Sequence, residues 1–199
     1  SYSPKDQTDF TSNKEVSTIF STELAHHWWE EFLSESAQKE FEIKVLVTDT
    51  ESSKKIAEYI QSQLQETLKG LTVTITTVPY SVELEKEQQG EFDISLDGWG
   101  ADYLDPMSYL SILQSNNSAN YSNYSSEGYD KLIDQIDAAS ADPEKRWQLM
   151  LEAEEKIAED LPVIPLFQYT KNYLRRGNVQ NAHSLPLGFE FDYKNFEIN

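Results

Sequence analysis

Hydrophobic positions along the chain keep two periods. Between Val16 and Leu33 they recur at helical spacing, with Leu24, Trp28 and Phe32 in one row and Ala25, Trp29 and Leu33 beside it. That row predicts a helix buried along one side. Phe41, Ile43, Val45 and Val47 then alternate as a strand does. Thr48-Asp49-Thr50 supplies turn and cap residues ahead of a helix beginning near Ser52, where Ile56, Ile60, Leu64 and Leu68 repeat every four residues with Ala57 adjacent. Gly70 stands where a glycine ends a helix. Leu71, Val73, Ile75 and Thr77 alternate again, and Pro79 stops that strand. Residues 41 to 78 therefore read as β-α-β, a crossover that makes its two strands parallel. The polar, Glu/Gln-rich stretch Ser81 to Gly90 leads to a third strand over Phe92 to Leu96.

The second half is more helical. Met107, Tyr109, Leu110 and Leu113 predict a short helix after Pro106. A helix from about Glu127 places Tyr129, Leu132, Ile133 and Ile136 on one face. Asp142-Pro143 is a cap followed by a first-turn proline, and it opens a longer helix through Trp147, Met150, Leu151, Ala153, Ile157 and Ala158. Leu161 to Phe167 is an apolar run interrupted by Pro162 and Pro165, read as a strand with edge character. Residues 1 to about 14 read as a loosely held lead-in. Beyond Arg175-Arg176-Gly177 the pattern weakens, and Phe189, Phe191, Tyr193 and Phe196 have no strong periodicity.

Composition bounds the class. The chain has 199 residues, 12% of them aromatic, enough for a sizeable core in spite of a charge of −19. That charge excludes a polyanionic partner, because phosphate neutralisation dominates nucleic-acid affinity. There is no cysteine, which removes thiolate metal sites and cysteine nucleophiles. No segment approaches the ~18 apolar residues that span a bilayer. The chain opens on Ser1-Tyr2-Ser3-Pro4 without an initiator Met, a basic region or an apolar core of a leader. That opening implies a processed or excised segment.

The chemistry concentrates between Phe92 and Pro106. The apolar alternation of Phe92, Ile94 and Leu96 breaks into Gly98-Trp99-Gly100, followed by Asp102-Tyr103 and Asp105-Pro106. Two glycines beside a large ring leave main chain open to close approach. The C-terminal end of a strand is where an α/β sheet places its ligand. Asp102 is there either a counter-charge for a ligand or a turn aspartate bonding its own backbone. Asp105 before Pro106 reads as a helix cap.

Other constellations are weaker. His26 and His27 are adjacent, so a helix points them apart, whereas a two-ligand metal site prefers i, i+4. His183 lies in the weak tail. Gly98-x-Gly100 lacks the third glycine and the following helix of a dinucleotide fingerprint, and no G-x-S-x-G elbow is present. Asp93, Asp97, Asp102 and Asp105 suit either a solvated face or a carboxylate pair for glycoside hydrolysis. The three N-x-S matches at Asn116, Asn120 and Asn123 fall in a segment made mostly of Asn and Ser, where composition alone produces them.

Gly98-Trp99-Gly100-Ala101-Asp102-Tyr103-Leu104-Asp105-Pro106, preceded by Phe92-Asp93-Ile94, resembles the oligopeptide-binding proteins of ABC importers, the extracellular solute-binding family 5. Ser53 to Gln61 with Leu71-Thr72-Val73 resembles the helix and strand ahead of that motif. Tyr129 to Ile133, Arg146, Ala153-Glu154 and Glu159 to Leu166 follow in the family's order, so the likeness covers roughly residues 40 to 199.

The resemblance implies an α/β, periplasmic-binding-protein-like lobe with a β-α-β core sheet flanked by helices. Residues 1–177 would form the C-terminal lobe, which binds the peptide's N-terminus, and residues 178–199 a tail that packs on the other lobe. An extended oligopeptide would be held by main-chain hydrogen bonds at Gly98 and Gly100, with Trp99 and Tyr103 beside it and Asp102 pairing its α-amino group. The implied partners are that peptide, the other lobe and an ABC permease. The implied location is the extracellular face of the membrane, through a lipid anchor outside this chain. No cofactor, metal or catalytic residue is implied. The alternatives are the same fold holding a dipeptide, nickel chelate, sugar or signalling peptide, and a hydrolase using Asp97 and Asp102.

Overall fold

The computed structural model describes residues 3–7, 9–10, 21–170, 172–185 and 191–198. The chain divides into two compact units. One comprises residues 16–99 and 121–123, and the other residues 1–15, 100–120 and 124–199.

The first unit is built on a three-stranded sheet. Its strands are β1 (Phe41–Thr48), β2 (Leu71–Val78) and β3 (Ile94–Leu96), in the order β2-β1-β3 and all parallel. β1 and β2 pair from Phe41↔Leu71 to Thr48↔Val78, the β-α-β unit read from the sequence. Between them α2 (Glu51–Thr67) is capped by the Thr50 hydroxyl, which accepts from the Ser53 N–H. Val45, Val47, Ala57, Leu71 and Val73 are buried together, with Leu64 and Leu68 packed on them. β2 is an edge strand, and α2 covers part of that edge: Gln61 donates to the Val73 carbonyl at 2.6 Å and Gln65 accepts from its N–H at 2.8 Å. Gly70 has φ +85°, and a Cβ there would lie 2.4 Å from the Lys39 carbonyl oxygen.

Two elements of this unit depart from the sequence reading. Helix α1 (Thr22–Ser36) forms as expected, but it buries no residue completely. Trp29 and Phe32 turn their rings toward Phe41 of β1, and the Trp29 indole donates to the Lys69 carbonyl at 2.8 Å. Leu24 and Trp28 stay 50% and 63% exposed. A periodic row shows which side of a helix is apolar and not how much of it a neighbour covers. Positions 16–20 of the predicted helix lie outside the described residues. The second departure is α3 (Tyr80–Gln89), which occupies the stretch read only as a polar connection. It packs on β1 and buries Glu83 and Glu87.

The second unit is helical. It contains the short α4 (Met107–Leu110) continued by a 3-10 turn over Ser111–Leu113, then α5 (Glu127–Ala138) and α6 (Pro143–Asp160). Ser126 and Asp142 cap α5 and α6 by accepting from the N–H groups of Tyr129 and Lys145. Tyr129, Ile133, Ile136, Trp147, Met150 and Ala153 form the centre of its core, with Met107, Leu110 and Leu113 of the α4 segment. Tyr129 is fully buried, and its hydroxyl donates to the Leu110 carbonyl at 2.7 Å. Phe10, read as part of a loose lead-in, joins this core and meets Trp147 edge to face at 5.0 Å.

Residues 161–167 were expected to form an edge strand. They form none, and Leu161, Val163, Ile164, Leu166 and Phe167 are exposed. A strand needs a neighbour to take its N–H and C=O groups, and no described residue supplies one here. The last residues make two short antiparallel pairs, β4 (Val179–Gln180) with β7 (Glu197–Ile198) and β5 (His183–Ser184) with β6 (Phe191–Asp192).

Candidate functional site

The predicted segment crosses the boundary between the two units at Trp99–Gly100.

In the sheet unit, Asp93 places β3. The Asp93 N–H donates to the Lys44 carbonyl, and its Oδ2 accepts from the Lys44 N–H at 2.7 Å. This carboxylate extends the ladder between β1 and β3. At the other end of β3, Asp97 Oδ1 accepts from the Gly98 N–H at 2.7 Å. The main chain expected to receive a ligand at Gly98 thus has its N–H engaged by the residue before it. Gly98 is exposed, and Trp99 is 41% exposed.

Behind this strand end lies an acidic group that the sequence reading missed. Glu83 and Glu87 are one turn apart on α3 and 0% and 2% exposed. Thr48 Oγ1 donates to Glu83 Oε2, and Ser95 Oγ donates to Glu87 Oε1. Glu83 Oε1 and Glu87 Oε2 are buried with no hydrogen-bond partner among the described residues. Burial pushes both carboxyls above their ordinary range, the strand hydroxyls pull the other way, and the nearby Asp97 charge adds to the rise. Asp97 also pushes up the phenol of the half-exposed Tyr80, with a smaller contribution from Tyr121. Such a stretch looks like a solvated surface in sequence, because Glu is almost never fully buried.

In the helical unit, Gly100 is open. A Cβ added there meets nothing within 4 Å. Asp102 is exposed, and no described residue pairs with its carboxylate. Its N–H donates to Ser108 Oγ at 2.7 Å. The Asp102 side chain therefore does not close a turn onto its own backbone. Tyr103 is 48% exposed. Asp105 does cap the next helix, since its Oδ1 accepts from the Met107 N–H at 2.9 Å. It also makes a bond that no local pattern announces: Arg146, on the first turn of α6, donates from both terminal nitrogens to its two oxygens at 2.8 and 2.9 Å. Partial burial alone raises the Asp105 pKa, but the guanidinium and the Met107 N–H outweigh it and hold the carboxyl below its ordinary range. The same contact raises Arg146.

Among the described residues, no group of three or more His, Cys, Asp or Glu is arranged to hold a metal ion, and no helix is long and apolar enough to cross a membrane. An open polar hollow of about 460 Å³ lies between Asn181, His183, Lys194 and Glu197, and none of the predicted site residues lines it.

Residues 2–121 match the family model described as bacterial extracellular solute-binding proteins, family 5 Middle. The dipeptide-binding protein DppE of Bacillus subtilis is 35% identical over 136 residues, 68% of this chain and 25% of that protein. The crystal structure of an oligopeptide ABC transporter substrate-binding domain from Bacillus anthracis superposes on the whole chain with TM-score 0.89 and 32% identity, over 38% of that structure. The structure of Listeria monocytogenes OppA bound to peptide also covers the whole chain, with TM-score 0.83 and 30% identity over 38% of its length. The chain spans about a quarter of the length of the curated relatives it matches.

Proposed function

Since the chain belongs to the bacterial extracellular solute-binding proteins of family 5, we propose that it is the lobe of an oligopeptide importer's receptor that holds the peptide's amino end. Asp102 pairs with the α-amino group. Gly98 and Gly100 offer main chain to the peptide backbone, and Trp99 and Tyr103 stand beside it.

One observation carries this reading. Asp102 presents an exposed carboxylate without a described partner, two residues from main chain that no side chain obstructs. A free α-amine has a pKa near ~8 and is charged at neutral pH, so enclosing it calls for a counter-charge. Main-chain pairing along the peptide gives affinity without reading side chains. The Gly100 end is open for this, whereas at Gly98 a peptide carbonyl must first displace Asp97 from the N–H.

The rest of the receptor completes the site. The tail over residues 178–199 packs on that other lobe, and the receptor works at the extracellular face of the membrane, lipid-anchored, delivering peptide to an ABC permease. The lobe has no catalytic role. Alone it binds peptide weakly or not at all. A dipeptide is the second reading, favoured by the name of the Bacillus subtilis relative. Native mass spectrometry of the receptor as purified identifies which it carries.

Calorimetry on the full-length receptor with one peptide, free and N-acetylated, tests the role of Asp102. Removing one partner of a buried pair costs roughly 3–5 kcal/mol, over about a hundredfold in affinity. Asp102→Ala is expected to bring the free peptide down to the acetylated one. Equal affinities for both peptides in the unmutated receptor refute the role.

A further inference from the structure

Asp102 sits in a stretch without regular secondary structure, between Gly100 and α4. A carboxylate on loose chain makes a poor counter-ion, because fixing one residue's backbone costs about 1–2 kcal/mol each time a guest arrives. Affinity rises when that ordering is completed in advance.

We propose that Ser108 and the Arg146–Asp105 pair are positioning residues that hold Asp102 ready for the amine. The inference rests on the reading of Asp102 given above. Ser108 is 2% exposed on α4, and its Oγ accepts the Asp102 N–H at 2.7 Å. Asp105 holds the start of α4 by two bonds and the chain before it by a third. Its Oδ1 accepts from the Met107 N–H, its carbonyl accepts from the Ser108 N–H at 3.0 Å, and its own N–H donates to the Tyr103 carbonyl at 2.9 Å. Arg146 grips both oxygens of Asp105 from α6, an 18-residue helix whose Trp147, Met150 and Ala153 lie in the core. A bidentate guanidinium–carboxylate pair fixes orientation as well as distance. The order of α6 thus reaches the main chain of Asp102 through Asp105 and Ser108. In this arrangement each of the three acts on the amine through another residue and not by its own contact.

The full-length receptor tests this by the ratio of affinities for one free peptide and its N-acetylated form. Ser108→Ala is expected to lower that ratio about tenfold, a little over 1 kcal/mol, with the acetylated peptide bound as before. Arg146→Lys keeps the charge, loses the two-pronged grip, and is expected to lower the ratio in the same direction. A general structural defect weakens both peptides alike and leaves the ratio unchanged, and that result overturns the proposal. Asp102→Ala measured in parallel separates the two readings. A ratio near one in the unmutated receptor refutes Asp102 as counter-ion. A ratio that collapses in Asp102→Ala but stands in both Ser108→Ala and Arg146→Lys refutes the positioning role alone. Should Ser108→Ala not fold, Arg146→Lys decides by the same ratio.

Discussion

Glu83 and Glu87 lie one turn apart on the same face of α3, and both are sealed against the sheet with one oxygen bonded to a strand hydroxyl and the other bonded to no described residue. Each carboxyl is shifted upward, first by burial and then by the Asp97 charge. A carboxyl whose folded pKa exceeds its unfolded one stabilises the fold most when protonated. That stability is complete below the unfolded value near 4.5 and declines as pH rises through the folded value. The double variant E83Q/E87Q is therefore expected to match the unmutated chain near pH 4 and to melt higher above pH 7. Removing a buried carboxylate charge that lacks a full set of partners is worth roughly 1–3 kcal/mol, and each kcal/mol moves the midpoint about 2–4 °C in a chain of this size. Thermal melts across that pH range check it, and a variant that melts lower at every pH refutes it.

At Gly70 the constraint is steric. Its φ of +85° disfavours any side chain, and a Cβ would meet the Lys39 carbonyl at 2.4 Å. The Gly70 carbonyl also accepts from the Phe41 N–H at the start of β1. Gly70→Ala is expected to lose more than about 1 kcal/mol, because the backbone must shift where α2 turns into β2. Urea unfolding measures the loss, and a midpoint equal to that of the unmutated chain sinks the prediction.

These two sites also mark what the sequence could and could not convey. The β-α-β core was legible because Val45, Val47, Leu64, Val73 and Gly70 each obey a local rule of period or turn. α3 was not, since two buried glutamates look in sequence like two exposed ones. Trp28 shows the opposite case, a residue in an apolar row that stays 63% exposed. The apolar run over 161–167 carries strand composition but has no described partner strand. At the candidate site, Gly98 to Tyr103 stood out by residue type and by likeness to a family. Ser108 did not, and Arg146 did so only by its place in the family's order; their bonds to Asp102 and Asp105 join positions 6 and 41 residues apart, which a single sequence does not pair.

Asp97 supplies a prediction of opposite sign from the usual deletion. Its Oδ1 holds the Gly98 N–H at 2.7 Å, so a peptide carbonyl docking there competes with a bond already made. Asp97→Ala removes the competitor. The full-length receptor with that change is expected to bind a peptide of neutral side chains more tightly by about 1 kcal/mol, the net worth of one ordinary hydrogen bond, or about fivefold. Titration calorimetry reads the change directly. Weaker or unchanged binding shows that Gly98 gives its N–H to no guest.

The pair of Asp105 and Arg146 makes a claim about acid. Asp105 has a folded pKa below its ordinary 3.8, with the guanidinium and the Met107 N–H outweighing burial. A depressed carboxyl stabilises the fold above its unfolded pKa and loses that contribution as pH falls through the folded one. Both side chains are about a quarter exposed, so water screens the pair and its worth lies below the 3–5 kcal/mol lost when a fully buried pair is broken. Arg146→Met keeps most of the side chain's apolar length and deletes the charge. At pH 7 this variant is expected to lose about 1–3 kcal/mol, because Asp105 retains a half-buried charge with only the Met107 N–H to meet it. As the pH falls below the ordinary 3.8 and through the lowered folded value, the unmutated chain gives up its advantage, and the two unfolding curves converge. Urea midpoints at pH 7, 4 and 2.5 test both halves at once. A gap that stays constant as the pH falls shows that Arg146 contributes packing alone and that the charge on Asp105 has no part in holding α4 to α6.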